Sequence, residues 1–417
     1  MPIHYTGGMD PISYSGTFTL ERIVGTVPVE PDGSASFELP ALRSFFFVAL
    51  NERDRAVKRM QSFVTVQPGE ATSCVGCHEQ RTRAPDRDRS FTLAMRRAPS
   101  RIEPIGDVPE VIDFPRDVQP VLDTLCVACH GPDKTPAGGP RAGRLLLDGG
   151  HGPMFSHSYY MLTVAGLFSD GRNQARSSYA PRQLGSSASK LLGYLDGSHY
   201  GAKATPQQEA VLRLWIESGA AYPGTYAALG TGMIGGYAEN QQVNTDWDWP
   251  QTKEAAEVIG RRCASCHEAP GRLLPRSLAD ERGVSFWQPD MRDPRLNTSR
   301  HIVFDLSQPE KSMLLLAPLA ESAGGWGACA DPATGKKAVV FTGTNDPDYA
   351  KLLALCQAGR DHLARSKRFD MPGFTPRIDW VREMVRYGIL PPGTTPEKAG
   401  DSYSVERAYW QSLWYRP

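Results

Sequence analysis

The chain has no surplus of either charge, no long apolar run and no leader-like start, and each absence excludes a class of function. Its 46 Lys and Arg cancel its 46 Asp and Glu over 417 residues. A balanced chain gives no electrostatic footing for nucleic acid or for an anionic membrane surface. The longest apolar runs, such as 45–50 and 313–316, fall far short of the roughly 20 residues that span a bilayer. The start, Met1-Pro-Ile-His4-Tyr5-Thr6-Gly7-Gly8, lacks both the basic segment and the apolar segment of a secretory leader. At 40% apolar the chain is too hydrophobic to be disordered. What it has in excess is 40 Gly and 34 Pro, above the usual ~7% and ~5%. At about 150 residues per domain this is a loop-rich chain of roughly three domains, needing something besides regular secondary structure to hold it together.

The eight cysteines say what that is. Six of them form three copies of one pattern: Cys74-Val-Gly-Cys77-His78, Cys126-Val-Ala-Cys129-His130 and Cys263-Ala-Ser-Cys266-His267. C-x-x-C-H is the attachment signature of c-type haem. Thiols at i and i+3 share one face of a helical turn, so both reach the vinyl groups on one porphyrin edge. The following histidine then ligates the iron from below. A tetrahedral zinc site needs two close pairs, whereas these pairs are about 50 and 135 residues apart. A thioredoxin-like site has one pair within a βαβ pattern. Three chance occurrences, at about 0.003 per chain each, are negligible. The expected cofactors are therefore three covalently attached haem c groups. Haem attachment takes place on the oxidising side of a membrane, so the protein is expected to be periplasmic or otherwise exported. The chain as given is then a mature form or lacks an upstream part. In that compartment the remaining pair, Cys329 and Cys356, is expected to form a disulfide.

The expected fold class is α+β and loop-rich, a small antiparallel β-sandwich followed by two mainly α cytochrome c-like domains. Residues 1–72 alternate in β fashion: Ser15–Leu20, Val24–Val29, a Glu30-Pro31-Asp32-Gly33 turn, Ser36–Leu39, and a hairpin from Phe45–Leu50 and Val57–Val66. Residues 73–110 carry the first haem. In 111–228, Asp117, Val118, Val121, Leu122 and Leu125 keep helical spacing into Cys126–His130. A helix capped by Thr205, Pro206 and Gln208 and stopped by Gly219 then closes the domain. Its apolar face is Val211, Leu214, Trp215 and Ile216. After a linker, 229–250, the plan repeats over 251–392. Ala255, Val258 and Ile259 lead into Cys263–His267, and a long loop region holds both spare cysteines. A helix with Thr375 as cap, Pro376 at its first position, Ile378, Val381, Met384 and Val385 inward and Gly388 at its end completes the module. Residues 393–417 are an aromatic tail.

Low-spin haem iron takes a second axial ligand, and the repeat selects candidates. His199 stands six residues before Thr205, and Met371 four before Thr375, both on the loop ahead of a closing helix. We assign His199 to the second haem and Met371 to the third, with His301 as the alternative. The first haem has no such loop; His4, His151, His157 and an open position all stand.

Several stretches resemble the hydrazine synthase alpha subunit and its C-terminal dihaem part. They are Tyr5-Thr6-Gly7-Gly8-Met9-Asp10, Gly25–Val29 with Asp32-Gly33-Ser34, Pro68-Gly69-Glu70 before Ser73–Glu79, and Gly197-Ser198-His199-Tyr200 with Trp215–Ala220. The opening Phe114–Pro120 is similar to planctomycete-type cytochrome c domains. The resemblance covers about residues 1–236, with the third module as an addition, and it implies His130 and His199 as one axial pair. It also implies a catalytic first haem, with a tyrosine shortly after its C-x-x-C-H on the iron and zinc beside it. Here Glu79-Gln80-Arg81-Thr82 follow His78 and the next tyrosine after it is Tyr159, a departure that counts against hydrazine chemistry. That family also has an N-terminal propeller-like region that this chain lacks.

The expected function is that of an exported trihaem c-type cytochrome moving electrons to a redox partner protein or to other subunits. No nucleic acid and no membrane span are expected, and homo- or hetero-oligomers stay open. The alternative is a haem oxidoreductase in which an open first haem acts on a small nitrogen or oxygen species and the other two relay electrons. A third reading is a structural subunit docked through its tail.

Overall fold

The computed structural model describes residues 12–15, 19–76, 92–136, 138–171, 178–230, 232–235, 245–285 and 289–414. The strands among them are β1 (Ser44–Phe45), β2 (Val48–Leu50), β3 (Ala56–Arg59) and β4 (Val64–Thr65). The α-helices are α1 (Gln119–Leu125), α2 (Val127–His130), α3 (His157–Val164), α4 (Pro206–Glu217), α5 (Pro250–Val258), α6 (Ala264–His267), α7 (Arg300–Val303), α8 (Met313–Leu316), α9 (Pro347–Ser366), α10 (Ile378–Arg386) and α11 (Ser402–Ser412). The class is mixed α+β with few, short, antiparallel strands. Among the described residues no helix is long and apolar enough to cross a membrane. Contacts divide the chain into two units, each gathered from separate stretches. The first draws on 1–19, 113–167 and 221–402, the second on 20–112, 168–220 and 403–417. The stretch 111–228, one domain in the sequence reading, thus contributes to both.

In the second unit the expected hairpin forms around a turn in which Asn51 Oδ1 accepts the amides of Arg53 and Arg55. Val48 faces Arg59 and Leu50 faces Ala56 across a bulge, and β1 pairs with β4. The Glu30–Gly33 turn also forms, with Gly33 at φ +81°. Among the described residues the sandwich does not. Val24–Val29 and Ser36–Leu39 contribute only isolated bridges, Thr26 to Glu103 and Phe37 to Ser100. Pro28 and Pro31 interrupt one side, and Pro99 and Pro104 bracket the other, so neither edge extends into a ladder. Part of Ser15–Leu20 lies outside the described residues. Helix α4 is built as its caps require: Thr205 accepts from Gln208, Gln208 returns the bond, and Val211, Leu214, Trp215 and Ile216 are buried. Gly219 ends it at φ +83°. The Glu217 carboxylate accepts from the Ser186 amide at 2.8 Å, while Ser186 Oγ accepts from the Ala56 amide at 2.7 Å, which ties α4 to β3. Arg407 of α11 pairs with Glu110 at 2.9 Å, and the Arg22 guanidinium lies over Trp410.

The first unit has two adjoining cores. One is aromatic: Tyr14, Phe114, Phe155, Tyr159, Tyr160 and Tyr222 are all fully buried, in edge-to-face and tilted pairs 4.9–6.0 Å apart. The other is aliphatic, with Ala255 and Val258 of α5 and Ile259 just beyond it packed with Leu352, Leu355 and Leu363 of α9. Helix α9 occupies part of the region expected to be loop. Its start was marked in the sequence, since Asp346 caps the Asp348 amide and Pro347 takes the first position. Helix α10 starts two residues later than the Thr375-Pro376 signal, with Arg377 at its cap and paired to Asp379. Its buried face is Trp380, Val381 and Met384, and the expected inward residue Ile378 is exposed.

Candidate haem-attachment sites

The second and third motifs are built alike. Each follows a helical run that includes a π turn, Phe114–Val118 in one and Ile259–Cys263 in the other. Each then ends in a single helical turn, α2 or α6, whose last residue is the histidine. The first of these runs is capped reciprocally. Asp113 Oδ1 accepts the Arg116 amide at 3.0 Å, and Asp117 Oδ2 accepts the Asp113 amide at 2.7 Å. The first cysteine of each motif, Cys126 or Cys263, caps that turn and the second lies within it, so the thiols stand at i and i+3 as the spacing requires.

The histidines share a further feature. His130 Nδ1 lies 2.7 Å from the Ala142 carbonyl oxygen, and His267 Nδ1 lies 2.7 Å from that of Arg272. A carbonyl only accepts, so Nδ1 carries the proton in both rings and Nε2 is the basic nitrogen. This is how a metal-ligating imidazole is ordinarily fixed in tautomer and orientation. Glycines keep the space around the second motif. A Cβ on Gly138 would stand 3.1 Å from Cys129 Cβ, and one on Gly143 3.8 Å from His130 Cε1. Burial, and then Cys129, push the Cys126 thiol up to about 11. Burial, and then Cys329, do the same for Cys263, also to about 11. These donor sets fit thioether-bound haem with histidine below the ring.

Met371, partly buried, packs against the aliphatic core that holds Cys263, so the third module brings its thiol and its expected sixth ligand to one core. His301 is placed otherwise. Fully buried, its Nε2 meets Glu281 at 3.1 Å and its ring lies among Tyr14, Phe155 and Tyr160. Burial lowers its pKa to about 4 despite Glu281. His199 is in the second unit, half-buried at the tip of a tight 196–203 loop, with Tyr194 and Tyr200 rings 4.9 and 5.0 Å away. Its expected axial partner His130 belongs to the first unit.

Of the first motif, Cys74 is exposed beyond a Gln67–Glu70 turn, and Cys77 and His78 lie outside the described residues, as does His4. The other two candidates for that haem are engaged elsewhere. His151 Nε2 stands 3.6 Å from Asp370, and His157 is fully buried, with Nε2 on the Phe304 carbonyl at 3.0 Å and Nδ1 toward Asp148 at 3.4 Å.

The expected Cys329–Cys356 disulfide is absent, and both are free thiols. Cys356 is buried on α9, where Ser312 Oγ lies 3.3 Å from its sulfur. Cys329 belongs to a loop in the field of Cys266 and Cys263. The tight Arg368–Asp370 pair, with both side chains at 0% exposure and Tyr222 donating to Asp370 at 2.7 Å, was also missed. Nothing in a single sequence distinguishes such a pair from surface charge.

Residues 7–79 match the family model described as the hydrazine synthase alpha subunit middle domain. The match runs through the whole first motif but covers neither the other two nor the wider 1–236 resemblance. No curated protein and no solved structure matches the chain.

Proposed function

We propose that this chain is an exported cytochrome with three covalently attached haem c groups, at Cys74–His78, Cys126–His130 and Cys263–His267, and that it moves electrons. Bound haem supplies a one-electron iron couple; the chain attaches, orients and shields it. The observation that supports this reading best is the pair of matched bonds from His130 and His267 to backbone carbonyls, each 2.7 Å long. They point both imidazoles as iron ligands and make both more basic. His199 and Met371 serve as the sixth ligands of the second and third haems. A His/Met third haem has a higher potential than a bis-His second one, which gives electrons a downhill step.

A second reading rests on the match over 7–79, since a hydrazine-synthase-related domain around the first motif suits an oxidoreductase-type, multihaem-linked role. In it the first haem is reactive toward a small nitrogen species, and the chain works beside other subunits. One titration tests both. The haem content of the mature protein is expected to be three per chain by pyridine haemochrome. Carbon monoxide uptake by the reduced protein separates the readings: none supports pure electron transfer, and one haem per chain supports the reactive first haem. Two or fewer attached haems, or carbon monoxide on two or more, overturns the assignment.

A further inference from the structure

Away from the three motifs, Asp148, His157 and Asp305 each place a ligand atom within 4.8 Å of the other two. Asp148 lies on the loop between α2 and α3, His157 opens α3, and Asp305 follows α7. The His157 and Asp305 side chains are buried, whereas Asp148 reaches the surface at 14% exposure. The Phe304 carbonyl accepts from His157 Nε2 at 3.0 Å, so that nitrogen carries the ring proton and Nδ1 is the one turned to the carboxylates. Nδ1 and Asp148 Oδ1 are 3.4 Å apart. That is long for a charge-assisted hydrogen bond, ordinarily about 2.7–2.9 Å. It is close to the roughly 3.4 Å that separates two donors each about 2.1 Å from one tetrahedral ion.

Three further observations point to a cation. Asp305 is buried and its Oδ1 accepts the Ser307 and Gln308 amides, each at 2.8 Å, so the backbone holds its carboxyl group in place within the cluster. No Lys or Arg among the described residues bonds to either carboxylate, so two acids share one imidazole in a buried setting. A divalent ion beside a neutral imidazole would bring that cluster to zero charge. Finally, Gly150 leaves the space open: a Cβ there would stand 2.6 Å from His157 Nδ1 and 2.7 Å from Asp148 Oδ2.

We propose that Asp148, His157 and Asp305 bind a first-row divalent metal ion, with zinc the best fit, distinct from the haem irons. Two carboxylate oxygens and one imidazole nitrogen suit zinc, whereas calcium takes oxygen ligands alone. The Phe304 carbonyl holds the imidazole as an outer partner. The ion clasps the loop that follows the second haem motif to the segment that follows α7 in the third module. Within the first unit it therefore fixes one haem-bearing stretch against the other, as the Leu306 amide does on the His151 carbonyl at 2.7 Å.

The test uses the full haem-loaded chain, incubated separately with zinc, manganese and calcium, desalted against a weak chelator, and analysed for metals by mass spectrometry. One zinc per chain beyond the irons is expected, with calcium not retained. Asp305→Asn should lose that zinc, keep its haems, and lose the rise in melting temperature that zinc gives the parent chain. Wild-type protein that retains no stoichiometric zinc overturns the site, as does an Asp305→Asn chain that retains it or a preference for calcium. If Asp305→Asn does not fold, Gly150→Ala, which fills the space without removing a ligand, is expected to lose the zinc, and retention there overturns the site.

Discussion

His267 donates its Nδ1 proton to the carbonyl oxygen of Arg272 at 2.7 Å, five residues further along the chain. The bond leaves Nε2 as the basic nitrogen, which in the proposed cytochrome faces the third iron, and Met371, packed on the core that holds Cys263, is the sixth ligand proposed there. Met371→Ala is therefore expected to keep all attached haem and to admit carbon monoxide at one more haem per chain than the parent. An unchanged carbon monoxide stoichiometry would remove Met371 from the iron.

The Arg368–Asp370 pair has no solvent on either side. Asp370→Asn leaves the Arg368 guanidinium buried with its charge uncompensated, and such broken pairs cost about 3–5 kcal/mol. Urea unfolding followed by tryptophan fluorescence should show a loss of that order, whereas a loss below about 1 kcal/mol would mean that the pair is solvated.

Acid should weaken the fold well before its carboxylates titrate. Burial holds His301 and His151 down to about 4, against an ordinary value near 6.5. Between those values the unfolded chain binds more protons, so stability falls as pH drops from about 6.5 to 4. Glu281, which burial alone would raise, is held to about 2 by Arg300 and His301. Its contribution is present above the usual carboxylate range and is lost as pH falls through 2. Denaturant midpoints measured from pH 7 to 4 should decline steadily, and a flat profile would contradict the buried neutral histidines.

Thr205 accepts the Gln208 amide at 3.2 Å and its own amide donates to Gln208 Oε1 at 2.9 Å. Thr205→Ala should cost about 1 kcal/mol, and Thr205→Ser nearly nothing. Equal losses in the two variants, read from the same urea transitions, would show that the cap is not what starts α4.

What was legible in the sequence was local. The Thr205 capping box, the Glu30–Gly33 turn and the apolar face of Ala255, Val258 and Ile259 each follow from a few neighbouring residues, and each appears in the structure. Helix α9 was legible too, from Asp346-Pro347, although the Gly- and Pro-rich surroundings read as loop. The sandwich failed because pairing depends on distant partners, and Pro99 and Pro104 limit that partner to single bridges. The Asp148–His157–Asp305 cluster had no sequence signal, because 147 residues separate its first two members from its third and no spacing rule spans such a gap. Its second member, His157, was weighed only as a ligand of the first haem.

The chain passes between its two units at 19/20, 112/113, 167/168, 220/221 and 402/403. That weave sets an order of assembly. When residue 220 has been made, all of Cys126–His130 exists but the aliphatic core of its unit, which runs to Leu363, does not. The second motif is therefore made well before the aliphatic core of its own unit, and until that core is complete the unit around it is unfinished. Cutting the chain at any motif leaves both units incomplete, so dissection by truncation should give fragments that aggregate rather than separate cytochromes.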